Sequence, residues 1–190
     1  MAMIMRAGVA ALLVTTVATA QIRAAADWDL ADAQTVRLAP EEIAALPPPI
    51  RQGLTQLGCT IPQVAGAAQP GNFITGRFSS SSRTQIAVLC SRNRSSSILV
   101  FEMSSTKPAA ELAPAPDKEF LQIVDGNGGI GFSRLLSVAQ PQTIRTAHAN
   151  PSGLQPPSLD HDGIEDAFAE KGSRVWYRHE ERWLQLTGSD

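Results

Sequence analysis

The sequence lacks any excess of positive charge. Its 16 Lys and Arg stand against 18 Asp and Glu, a net of -2. No basic surface is there to attract a polyanion, so nucleic acid is not expected as a partner. It also lacks a second long apolar run. Beyond the N-terminus nothing approaches the roughly 20 apolar residues that a membrane-spanning helix needs. Only two cysteines are present. Neither belongs to a Cys-x-x-Cys pair or lies beside a His, and the three His are far apart in the chain, so zinc has no ligand set. There is no Gly-x-Ser-x-Gly elbow. The glycine-rich Asp125–Gly129 run lacks the Lys-Ser/Thr of a phosphate loop and reads as a turn. What the chain does have is 14 Gly and 13 Pro in 190 residues, which disfavours long helices and favours turns. The 43% of hydrophobic residues is enough for a core.

Residues 1–20 read as a secretory signal. Arg6 precedes an apolar run from Ala7 to Ala18, and Ala18-Thr19-Ala20 offers small residues at a cleavage site. A second cut is available after Ala26. No Cys sits near either site, so a lipid anchor is not expected. Residues 21–39 form a weakly patterned lead-in, and residues 40–190 form one domain. Cys59 and Cys90 both survive cleavage, and two thiols in an exported chain most simply form one disulfide. The loop closed is about 30 residues, for which chain entropy gives ~3.5 kcal/mol.

The domain reads as mainly β. Pro40-Glu41-Glu42-Ile43 starts a short helix, which Pro47-Pro48-Pro49 interrupts. A second helix runs from about Pro49 to Leu57, with Ile50, Leu54 and Leu57 on one face and Gly58 as a left-handed cap. Strands follow at Asn72–Phe78, Gln85–Cys90 and Ser97–Phe101. The second of these is apolar on both faces, with Ile86, Val88 and Cys90 against Ala87 and Leu89, as a buried central strand requires. A short strand in Lys107–Pro116 and further strands at Phe120–Val124, Arg134–Val138, Thr143–Ala147 and Ile164–Ala169 come next. A closing hairpin joins Ser173–Arg178 to Arg182–Leu186. The expected architecture is an antiparallel sandwich or open sheet, with a small N-terminal helical piece tied on by the disulfide.

Three landmarks carry a resemblance. They are Gly58-Cys59-Thr60-Ile61-Pro62-Gln63; Gly71-Asn72-Phe73-Ile74-Thr75-Gly76-Arg77-Phe78 leading to Ala87-Val88-Leu89-Cys90-Ser91; and Asp160-His161-Asp162-Gly163-Ile164-Glu165-Asp166-Ala167-Phe168. Together they resemble a group of exported bacterial proteins of unknown function, which implies a compact exported domain and supplies no activity. The middle run also resembles a degenerate FG-GAP blade of integrin-like propellers. The strand pattern is kept, but the calcium-holding loop is Ser79-Ser80-Ser81-Ser82-Arg83 and the expected Asp is Gln85. One such unit cannot close a propeller of at least four blades.

Two constellations offer chemistry. Asp160, Asp162 and Asp166 form Asp-x-Asp-Gly-x-x-Asp, hard oxygens around a glycine, the ligand type that calcium takes. The competing reading is an acidic turn entering a strand, its carboxylates capping backbone N–H groups. His161 lies among these carboxylates, with Glu165 close in sequence, and a His–carboxylate pair is a general-base arrangement. Three readings follow. The first is a non-catalytic periplasmic or secreted module that binds an envelope component or another protein and needs no cofactor. The second is a β domain stabilised by calcium at Asp160, Asp162 and Asp166. The third is a hydrolase using His161.

Overall fold

A computed structural model describes residues 27–126, 128–148 and 159–187. The segment expected to be a signal (residues 1–20) and the Pro-rich stretch expected to be an irregular loop (149–158) lie outside the described residues. Residues 27–34 form helix α1. Strands β1 (Arg37–Leu38) and β2 (Ile61–Pro62) pair with each other, and between them lie a helical turn, Pro40–Glu42, and helix α2, Pro48–Gln56. The first large sheet is a meander of β3 (Phe73–Gly76), β4 (Gln85–Arg92), β5 (Ser95–Glu102) and β6 (Ala110–Pro116). A turn at Asp117–Phe120 leads to the hairpin of β7 (Leu121–Ile123) and β8 (Ile130–Phe132). The second large sheet is a meander of β9 (Arg134–Ala139), β10 (Gly163–Phe168), β11 (Gly172–His179) and β12 (Arg182–Thr187), with helix α3 (Pro141–His148) between β9 and β10. All strand pairs are antiparallel.

The period-2 alternation of the strands builds three apolar layers. Ala87, Leu89, Ile98 and Val100 point from the first sheet toward Leu136, Ile164, Phe168 and Trp176 of the second, with Phe78, Phe120 and Phe132 among them. The opposite face of the first sheet, Ile86, Val88, Cys90, Leu99 and Phe101, is covered by Ile43, Leu46, Ile50 and Leu54. The outer face of the second sheet, Val175 and Tyr177, packs with Ile144 of α3 and Leu159. The chain is therefore a mainly β, antiparallel sandwich with helical cover on each outer face.

The disulfide is present and joins the end of α2 to the central strand β4, with the Cα atoms of Cys59 and Cys90 5.1 Å apart. Gly58, at φ 69°, turns the chain out of the helix as a left-handed cap. Gly53, in the middle of α2, is required for another reason. A Cβ there would come within 2.1 Å of the Thr106 carbonyl oxygen, so glycine lets the helix lie against the backbone after β5.

One expectation needs correcting. Thr143–Ala147 is helical, not extended. Its β-branched residues favour a strand, but Pro141 sits where the first helical turn tolerates it, and Ile144 finds a buried site on the second sheet. Residues 27–39 pack against the strands. Ala31 enters the core between the sheets, and Arg37 bonds Asp117 through Nε and Nη2 at 3.0 and 2.8 Å. Ser91 donates to the same carboxylate oxygen at 2.6 Å.

The centre of the sandwich is closed by one ion pair. Arg134 of β9 and Asp166 of β10 are both fully buried as side chains. Arg134 Nε and Nη2 donate to the two Asp166 oxygens at 2.8 and 2.9 Å. Nη1 donates to the Ser96 carbonyl and hydroxyl, each at 3.1 Å, and Nη2 also donates to the Ala113 carbonyl at 2.8 Å. The Phe120 ring lies 4.4 Å from the guanidinium carbon, within cation–π range. Removing one partner strands a buried charge, at a cost of about 3–5 kcal/mol, whereas replacing both with apolar residues is often neutral. Arg134→Met should therefore lower unfolding stability in urea by about 3–5 kcal/mol. Arg134→Met combined with Asp166→Leu should recover most of that loss.

Candidate functional site

The acidic segment Asp160–Asp166 is where the sequence concentrates its polar chemistry, and the fold divides it. The chain becomes extended at Gly163. At ~3.3 Å per residue, Asp162 and Asp166 are separated by about 13 Å along the strand. Calcium ligands sit about 2.3–2.6 Å from the ion, so these two carboxylates do not share one. Both oxygens of Asp166 are also engaged by Arg134. Among the described residues no group of three or more His, Cys, Asp or Glu converges to hold a metal ion. The three-carboxylate ligand set expected from the spacing is therefore not assembled.

Each remaining member of the motif has a structural bond. Asp162 is buried, and its Oδ2 accepts the Arg77 N–H at 2.9 Å while its own N–H donates to the Arg77 carbonyl at 2.8 Å. The pair stitches the end of β3 to the start of β10. Asp162 Oδ1 is buried without a hydrogen-bond partner among the described residues. Asp160 is exposed and accepts the Ser81 hydroxyl at 2.6 Å. Glu165 points to the outer face of the second sheet, opposite to Asp166, and accepts from Ser137 and Ser173 at 2.6 and 2.9 Å. It bridges both neighbouring strands. His161 is buried, and its Nδ1 lies 3.1 Å from the Asp162 carbonyl oxygen. A carbonyl only accepts, so Nδ1 carries the proton. Gly163 has a packing role, since a Cβ there would come within 2.9 Å of Ile144 Cδ1 and of the Trp176 carbonyl.

The aromatic residues of the last hairpin separate as alternation demands. Trp176 joins the core between the sheets, while Tyr177 is buried on the outer face with Ile144. Burial pushes the Tyr177 phenol pKa up. The residues that sequence reasoning missed are Arg134, Arg37 and Asp117. A lone Arg in a strand carries no local mark of burial, because its partner stands 32 positions away.

Comparisons with protein-family models, curated proteins and solved structures find no match.

The bond donated by Ser81 holds the Asp160 carboxyl below the usual carboxylate range. Its folded-state pKa is depressed, so any stability it contributes is present above the unfolded-state pKa and lost as pH falls through the folded-state one. In a carboxyl-carbon NMR titration, Asp160 should titrate lower than an ordinary Asp. Ser81→Ala should raise its midpoint, and the stability difference between the two proteins should vanish in acid.

Proposed function

We propose that this chain is an exported protein, periplasmic or secreted, that acts by binding an envelope component or another protein and not by catalysis. The observation that carries this reading is the buried Cys59–Cys90 bridge, because such bridges form and persist in oxidising compartments. Two further features agree with it. No helix among the described residues is long and apolar enough to cross a membrane. Glu165 and Asp166 spend hydrogen-bonding capacity on holding strands together, and His161 bonds the carbonyl of its chain neighbour Asp162. The likeness to a degenerate FG-GAP blade is supported by the four-stranded meander β3-β4-β5-β6, whose first two strands carry the quoted run. Fractionation of cells expressing the full chain should recover it outside the cytoplasm with neither thiol open to alkylation. Recovery from the cytoplasm with two reactive thiols would reject the reading.

A second reading, calcium held by Asp160 and Asp162, has one observation in its favour. The buried Asp162 Oδ1 lacks a partner among the described residues, and a buried unpaired carboxylate oxygen is costly. On this reading calcium raises the melting temperature and Asp162→Ala abolishes the rise. The absence of any calcium heat in titration calorimetry would end it.

A further inference from the structure

One unassigned feature is a cavity of about 480 Å³ between the C-terminal end of α1, strands β1 and β8, and the loop 63–70. Its volume falls within the 300–1,000 Å³ common for small-molecule sites. Val36, Leu38, Val64, Ala68, Ile130 and Phe132 are among the residues that line it. In a chain with 16 basic and 18 acidic residues, no ionisable side chain is among the described residues of this lining. An ion would find no counter-charge here, whereas an uncharged apolar molecule would meet surface of its own kind.

The walls are held in place without an occupant. Gln63 is buried, and its side chain accepts the Gly71 N–H at 2.7 Å and donates to the Ile61 carbonyl at 2.9 Å, which clips together the two ends of the loop. Backbone bonds from Gln63 to Val36 and from Ala65 to Phe132, each 2.8 Å, fasten the loop to β1's approach and to β8. Gly131 lets it seat closely, since a Cβ there would come within 2.3 Å of the Ala65 methyl. The loop beyond this seat is Gly66-Ala67-Ala68, whose small side chains leave the space open. Val36 remains 60% exposed at the rim, and the exposed Val124 lies against Gly131.

We propose that this cavity binds an uncharged, largely apolar small molecule, with the exposed amides of Gln34 and Gln69 at its border to meet one hydroxyl or carbonyl. The assignment does not rest on export or on the acidic loop. The test is titration of the intact protein with the neutral dye N-phenyl-1-naphthylamine, which fluoresces on entering an apolar site. Saturable binding at one site per chain is expected. Val36→Glu and Ala68→Glu, at exposed positions, should each weaken it at least tenfold, because a charge would be desolvated by the dye. Leu57→Glu, on the exposed end of α2, should leave it unchanged. Amide shifts in NMR give a second readout on the unaltered protein and should move at residues 63–70 and 130–132. Non-saturable binding, equal affinity in the two cavity variants, equal loss in Leu57→Glu, or shifts confined to other residues would each overturn the proposal.

Discussion

A guanidinium removed from water must have its charge and all five N–H groups answered. Arg134 meets that requirement only where both sheets come together. Asp166 comes from the neighbouring strand of its own sheet. Ser96 and the Ala113 carbonyl come from the other sheet, and the Phe120 ring comes from the turn between the sheets. Ala113 takes a left-handed φ of 52° at an irregular point of β6, and its carbonyl there reaches Arg134. A shift of one sheet along the other would break several of these bonds at once. Apolar packing between the sheets is non-directional and sets no such register. The ion pair therefore supplies specificity that the core alone does not.

A second polar cluster does the same work for the N-terminal segment. Asp117 gathers Arg37 and Ser91, and Asp32 gathers Arg37 and Arg94. These bonds tie α1 and β1 to the β4–β5 turn. They also put one wall of the apolar cavity in a defined position. The disulfide contributes on the other side of the first sheet, where it holds the end of α2 over Val88 and Phe101. Helix, sheet and cavity are thus fixed by directional contacts around layers that are otherwise greasy and permissive.

The acidic segment illustrates how a fold reallocates chemistry. Read as a string, Asp160, Asp162 and Asp166 stand two and four positions apart, with Gly163 among them. Once residues from Gly163 onward are extended, alternation sends Glu165 and Asp166 to opposite faces. Asp162 is left at the strand entrance, where Arg77 reaches it. Each carboxylate then answers the nearest unmet donor, a guanidinium, a backbone N–H or a serine hydroxyl.

Much of the fold was legible in advance because its signals are local. The unbroken apolar run Ile86–Cys90 announced a strand buried on both faces. Gly58 announced a helix end, and two cysteines left one simple pairing. Three things were decided only in three dimensions. Thr143–Ala147 became a helix because a pocket on the second sheet accepts Ile144. The segment before Ala39 joined the domain because Asp117, far along the chain, offered Arg37 a buried partner. Asp166 became structural because Arg134 reached it from the neighbouring strand. Strand alternation and helix caps act over a few neighbours, so sequence carries them. The burial of a charge depends on who stands opposite, and only the completed packing determines that.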